Sequence, residues 1–344
     1  MDVRLSPEQQ ALRDAVAQAA GRLGPATVAE LDDAGRRQRL EAAVDGAGWR
    51  ELRAPGTEGA APLASGVEAA IVAEELGRAL ADVAFLGPTL AADLRRLAGA
   101  PPASEAETVA FVPDLSGPAR ADGGVPGTGT VAVAVDVTGA AHALALVRAE
   151  AGDVLGACVL GDAEPPLDLT RPTRIARSAP HPDEDLGGVL GEEAMAHWRA
   201  LGLALTCADL VGVMRGAVAL ACEYATERRQ YDAPVGSFQA VQHLLADAHV
   251  AMEGSASAAL HAAWAVDALD PHEALGAAAL AKAYCARAAR DVCEAAIQVH
   301  GGIGNTWDCL AHVYLRRALL STDLFGGVGA NLGRVLVHHG IGEA

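Results

Sequence analysis

The spacing of apolar positions changes twice along the chain. Up to about residue 99 they recur with helical period. Between residues 108 and 178 they fall in short runs, and from residue 192 onward the helical period returns. Ser6 followed by Pro7 and Gln9 reads as an N-cap, a first-turn proline and a capping-box partner, which predicts a helix to about Ala20. Further helices are predicted over Asp33–Gly46 and Gly66–Leu80, with the turn-forming stretch GTEGAAPLASG between them. The middle segment holds TVAFVPD, GTVAVAVDV, HALALVRA and GDVLGACVLG, strand-length apolar runs divided by Gly, Pro and Asp. Four to six strands fit, enough for a small sheet and too few for a large barrel. The polar stretch SAPHPDEDLGG ends this segment. Helices are then predicted at 192–229, 238–268, 272–299, 308–323 and 328–339. Long helices joined by short turns read as a bundle. The expected class is α+β, mainly α: an N-terminal helical domain (1–105), a shortened β domain (106–180) and a C-terminal four-helix-bundle domain (190–344).

Composition narrows the core. Apolar residues make up 51% of the 344 but aromatics only 3%, so Ala, Leu and Val must fill it, and small side chains let helices approach closely. A net charge of −18 argues against a nucleic-acid partner, although local arginine clusters can still bind phosphates. The polar start MDVRLSPEQQ has no signal-peptide core, and the apolar run LGLALTCA stops at Asp209. No membrane span and a cytoplasmic location are therefore expected. The six cysteines form no CxxC pair, which fits reduced thiols.

Two stretches carry candidate chemistry. In ATERRQYDAPVGSFQAVQHLLAD, Ala225 to Asp247, Arg228 and Arg229 end a helix. Cations there complement the helix dipole, and a guanidinium can also hold a phosphate in bidentate fashion. In AIQVHGGIGNTW, Ala296 to Trp307, a Gly-Gly-x-Gly turn lies between helices. No strand precedes it, so it is not a dinucleotide fingerprint. Paired glycines let a backbone approach a ligand, and the Gln298 amide can read a base edge or a hydroxyl.

Together these motifs resemble the acyl-CoA dehydrogenase family of flavoproteins, and VEAAIVAEELGRALADVAFLGPTLAA, Val67 to Ala92, extends the resemblance to the N-terminal region. The resemblance implies a dimer or tetramer with FAD at a subunit interface. One chain's β domain holds the flavin ring, and its neighbour supplies two turns to the nucleotide end. By position the first turn here would offer Arg228, Gln230, Tyr231, Phe238 and Gln239 to the pyrophosphate, with Tyr231 where Phe is usual. The second would offer Gln298, His300, Gly301 and Gly302 to the adenine end. His243, Asp247 and His249 have metal-like spacing but fall in ordinary family texture, so no metal site is expected.

The family's reaction is α,β-dehydrogenation of an acyl-CoA thioester, in which a Glu removes the α-proton. That Glu occupies one of two positions in the family. In this chain one falls on Phe325 or Gly326 and the other near Gly202, and none of these is a base. The β segment also lacks the Thr-Glu-Pro-like and Trp-x-Thr segments that meet the ring; FVPDLSGPARADGG is at most a remnant of the first.

Three readings remain open at this level. The resemblance is to short, base-lacking chains of actinobacterial α2β2 acyl-CoA dehydrogenases that act on sterol side chains. It implies a non-catalytic subunit completing the FAD site of a longer catalytic partner, with acyl-CoA bound through the complex and an electron-transfer flavoprotein or similar acceptor. The alternatives are a homomeric flavoenzyme with a substitute base such as Asp209 or Asp323, and a flavin-free scaffold. Against the first substitute, Asp209 is expected to pair with Arg215.

Overall fold

The computed structural model describes residues 4–56, 61–122, 132–163, 166–176, 181–182 and 186–342. Helix α1 (Pro7–Leu23) starts on the expected capping box: Gln9 N–H donates to Ser6 Oγ, and Ser6 N–H to Gln9 Oε1. Helix α2 (Ala34–Gly46) is capped by Asp33, and α3 (Gly66–Arg78) by a second box of Ser65 and Glu68. A fourth helix, α4 (Leu86–Ala98), was not expected. Its cap, Phe85, has no side-chain acceptor. Asp136, distant in sequence, supplies one instead, its Oδ2 accepting from Phe85 N–H (3.3 Å) and Gly87 N–H (3.1 Å).

The middle strands are β1 (Glu107–Phe111), β2 (Arg120–Asp122), β3 (Val133–Val135), β4 (His142–Ala149), β5 (Gly152–Ala163), β6 (Thr173–Ala176) and β7 (His181–Pro182). Among the described residues this is one strand more than the upper expectation. Five of them close on themselves: β1 pairs with β3, β3 with β6, β6 with β5, β5 with β4, and β4 in parallel with β1. β2 extends along β4, and β7 along β5. Small side chains let so tight a ring close: Ala110, Ala134, Ala143, Ala145 and Cys158 fill its interior. Most of 178–188, expected to end this region, lies outside the described residues.

The remaining helices are α5 (Glu192–Glu227), α6 (Gln239–Ala268), α7 (Pro271–His300), α8 (Ala311–Asp323) and α9 (Val328–His338). All five expected helices of this region are present, with ends within three residues of expectation. The 36-residue α5 is the axis, packed by α3, α6, α7 and α8. Gly212 makes this possible, since a Cβ there would lie 1.9 Å from the carbonyl oxygen of Glu74 on α3. Helix α5 is long and apolar enough to cross a membrane, but 83% of its most apolar window is buried against its neighbours.

Candidate functional site

The first candidate turn follows α5. Strands β8 (Arg229–Gln230) and β9 (Ala233–Pro234) form a hairpin with a two-residue loop, Tyr231 at φ 52° and Asp232 at φ 62°. Two left-handed residues make a type I′ turn, whose twist matches its strands but which normally takes Asn or Gly. Here a tyrosine occupies the first position with its ring 91% exposed and meeting the chain only edge-on at Phe238, 6.4 Å between centroids. A strained residue that its own chain does not bury points to a contact outside the chain. The turn is closed by Val235 N–H donating to the Arg228 carbonyl (2.7 Å) and by Arg229 Nη2 donating to the Asp232 carbonyl (2.9 Å). The Arg228 side chain is exposed and makes no hydrogen bond or ion pair among the described residues.

The second turn ends α7. Gly301, at φ 65°, caps the helix, its N–H donating to the Gln298 and Ile297 carbonyls. A left-handed cap of this kind favours glycine. The two turns sit side by side because α5 and α7 pack along one another and end together. Tyr224, one turn before Arg228, stacks on His300 with centroids 4.5 Å apart and ring planes 28° from parallel. Eight of the nine expected cofactor positions, Arg228, Gln230, Tyr231, Phe238, Gln239, Gln298, Gly301 and Gly302, are exposed at this end of the bundle. His300 departs from the expectation. It is buried at 6% exposure, with Nδ1–H donating to the Ala296 carbonyl at 2.7 Å, so its ring supports the turn from beneath.

The two empty base positions meet each other. Phe325 is 1% exposed, and a Cβ on Gly202 would lie 2.1 Å from its Cζ. The ring fills the notch left by the missing side chain. It packs edge-on against Trp198 (5.2 Å) and Phe111 (5.3 Å), while Phe325 N–H donates to the Leu115 carbonyl (2.8 Å). The Phe325 carbonyl accepts from Arg334 Nη1 at 2.5 Å, and Arg334 Nη2 reaches the Ser116 carbonyl at 3.2 Å. Buried Lys282 donates to the Ser321 and Leu324 carbonyls just upstream (2.5 and 2.7 Å), and burial lowers its pKa to about 8. Sequence reading found the two slots separately. Their meeting is seen only in the fold.

Neither substitute carboxylate reaches this spot as a free base. Asp209 does not pair with Arg215, which bonds Glu74 and Glu253 instead. Asp209 receives Arg317 Nη2 at 2.7 Å and Ser321 Oγ at 2.5 Å, and Arg171 Nη1 lies 3.3 Å away. Burial alone would raise its pKa, but the two guanidinium groups hold it below the usual carboxylate range. Arg171 in turn binds Asp168, and Arg317 donates to the Ala81 carbonyl, so the network ties the β region and the N-terminal helices to the bundle. Asp323 ends α8 with an exposed side chain. Burial nevertheless raises its pKa, and nearby Lys282 opposes that. It borders two cavities whose walls include neither Gly202 nor Phe325. The larger, about 630 Å3, lies between the Pro113–Leu115 loop and α8, with Asp114 and Asp323 both on its wall.

This architecture and these turns are those of one enzyme family. A family model described as the acyl-CoA dehydrogenase C-terminal domain matches residues 194–332. The acyl-CoA dehydrogenase IpdE2 of Mycolicibacterium smegmatis is 31% identical over 75% of this chain and 74% of its own length. Its namesake in Mycobacterium tuberculosis is 33% identical over 75% and 73%. The chain belongs to the acyl-CoA dehydrogenase family. Among solved structures, a variant of the Tcur3481–Tcur3483 steroid ACAD superposes with a TM-score of 0.79 at 23% identity, covering 97% of this chain and 98% of that one. The ChsE4–ChsE5 complex of M. tuberculosis gives 0.79 at 22% identity, with both chains fully covered. At these identities the likeness is one of fold.

Proposed function

We propose that this chain is the non-catalytic subunit of a heteromeric, FAD-dependent acyl-CoA dehydrogenase, and that it completes a flavin site on a longer catalytic partner. The observation that carries this reading is the Phe325 ring seated in the Gly202 notch. Where the family places a carboxylate over the α-carbon, this chain has packed aromatic core. Such a place holds neither a base nor an acyl chain.

The exposed turns support the other half of the proposal. Arg228 carries an unpaired guanidinium suited to a pyrophosphate, while Gln298 and the glycine cap present an amide and open backbone to a nucleotide. When bound, FAD accepts the hydride that leaves the acyl β-carbon. The residues here hold its nucleotide end from across the interface and leave proton abstraction to the partner. A bulky acyl group such as a sterol side chain is the proposed substrate class, supported by the steroid ACAD among the structural relatives, and an electron-transferring flavoprotein is the proposed acceptor. The Arg228→Ala subunit, co-purified with its partner, should retain less FAD than the wild-type complex; unchanged flavin content would remove this end of the bundle from the cofactor site.

A further inference from the structure

His197 of α5 sits where the N-terminal helices meet the bundle, and one ring nitrogen faces two guanidinium groups. Its Nε2 lies 3.2 Å from Arg53 Nη2 and 3.4 Å from Arg96 Nη2. A guanidinium can only donate, so Nε2 is the bare, accepting nitrogen of a neutral imidazole. The same two arginines carry the joint. Arg53, fully buried in the segment between α2 and α3, grips Asp267 near the end of α6 through Nη1 and Nη2, both at 3.1 Å, and donates to the Ala64 carbonyl at 3.0 Å. Asp267 also accepts from Gly66 N–H at 2.5 Å, at the start of α3. Arg96 binds Asp93 one turn earlier on α4 at 2.8 Å, and Asp93 lies 3.4 Å from Arg53 Nε.

A proton on Nε2 would set donor against donor in both contacts. It would also place a third cation beside two that are already buried. The charged groups that face His197 come from three elements: Arg53 before α3, Asp93 and Arg96 on α4, and Asp267 on α6. Both carboxylates are already engaged by the arginines, so they compensate a new charge only in part. Glu193, one turn earlier on α5 itself, is exposed. Burial lowers the His197 pKa from 6.5; Asp93 pulls it back up, Arg53 and Arg96 push it down again, and Asp267 opposes them last.

We propose that His197 is a pH-sensitive latch: neutral, it closes the joint between the N-terminal helices and the bundle, and protonated, it opens that joint by breaking its contacts with Arg53 and Arg96. In the open joint the imidazole is solvated and titrates near 6.5, and in the closed joint it titrates lower. The latch is therefore fully closed above about pH 6.5 and loosens as pH falls below it, its opening constant rising by up to about tenfold per pH unit for one proton taken up. None of this depends on the chain's place in a flavoenzyme, so the full chain is tested alone. Amide exchange is compared at pH 7.0 and pH 5.5 after correction for the intrinsic rate, with the middle of α7 as the internal reference. In the wild type, α4 and the last turn of α6 should lose protection together at pH 5.5 relative to that reference. In His197→Gln the amide oxygen accepts from both arginines at either pH, so the acid loss should disappear; His197→Asn, a shorter amide, takes its place if the first variant does not fold. Unchanged protection of α4 and the end of α6 in the wild type, or the same acid loss in the amide variant, would overturn the proposal.

Discussion

The Phe325 ring lies where the first side-chain atom of residue 202 would be, 2.1 Å from the Cβ that Gly202 lacks. The two positions that could carry the family's base are thus complementary halves of one apolar contact, and neither can change alone. Gly202→Ala should reveal this. Alanine in a helix is better than glycine by about 1 kcal/mol, but forcing a methyl group into a filled core costs about 1–3 kcal/mol. The expected result in urea unfolding is a net loss of stability, most of which is recovered when Phe325→Leu is added. A stable single variant would mean that the ring does not fill the notch.

Phe325→Ala should lower stability by about 3–5 kcal/mol, the usual range for emptying an aromatic core position. Phe325→Glu should be no better, since its carboxylate would be buried among Trp198, Phe111 and Gly202 without a charged partner. Neither variant is expected to oxidise an acyl-CoA alone, as followed by dye reduction. Turnover by Phe325→Glu would show that only the base is missing from this chain.

Asp209→Asn leaves Arg171 and Arg317 in the core without the carboxylate they share. Breaking a buried pair in this way costs about 3–5 kcal/mol. The expected readout is a lower denaturant midpoint, with α5, α8 and the Ala81 segment that follows α3 losing amide-exchange protection together because the network spans them. A loss confined to one helix would contradict its role in tying the layers together.

Lys282 gives a pH signature. Its folded pKa is lowered to about 8 from 10.5, so between those values the unfolded chain binds more protons and this residue's contribution to stability rises with pH. Buried thiols such as Cys293, raised to about 12 by burial, act in the opposite direction. The comparison with Lys282→Met therefore isolates the lysine. From pH 7.5 to pH 10 the wild type should gain on the variant by about 2 kcal/mol. Parallel stability profiles would show that Lys282 is not held in the low-dielectric site described.

The stack of Tyr224 on His300 fixes the distance between the two exposed turns. Tyr224→Ala should reduce FAD retention by the complex, whereas Tyr224→Phe, which keeps the ring, should restore it. Equal flavin content in all three proteins would make the stack a matter of helix packing alone.

What could be read from the sequence was what is local. Ser6, Asp33 and Ser65 cap their own helices, so α1, α2 and α3 start where expected. Helix α4 is capped by Asp136 from another layer and leaves no local signal. Strands β2 and β7 are too short for alternation to show. The pairing expected between Asp209 and Arg215 failed for a geometric reason. Residues six apart on a helix are about 240° apart around it, so Asp209 faces Arg171 and Arg317 in the core while Arg215 turns to Glu74. In the candidate site, the two turns were legible as contiguous motifs. The Gly202–Phe325 contact was not, because it joins residues distant in sequence.

The central claim is tested most directly by counting flavin. Purified alone, the chain should carry little FAD and should not reduce an electron acceptor when given acyl-CoA. Co-purified with a longer catalytic chain, it should yield an active yellow complex with roughly one FAD for every two chains, the ratio set when each interface builds one complete site. A homomer isolated with one FAD per chain and oxidising acyl-CoA unaided would contradict the account.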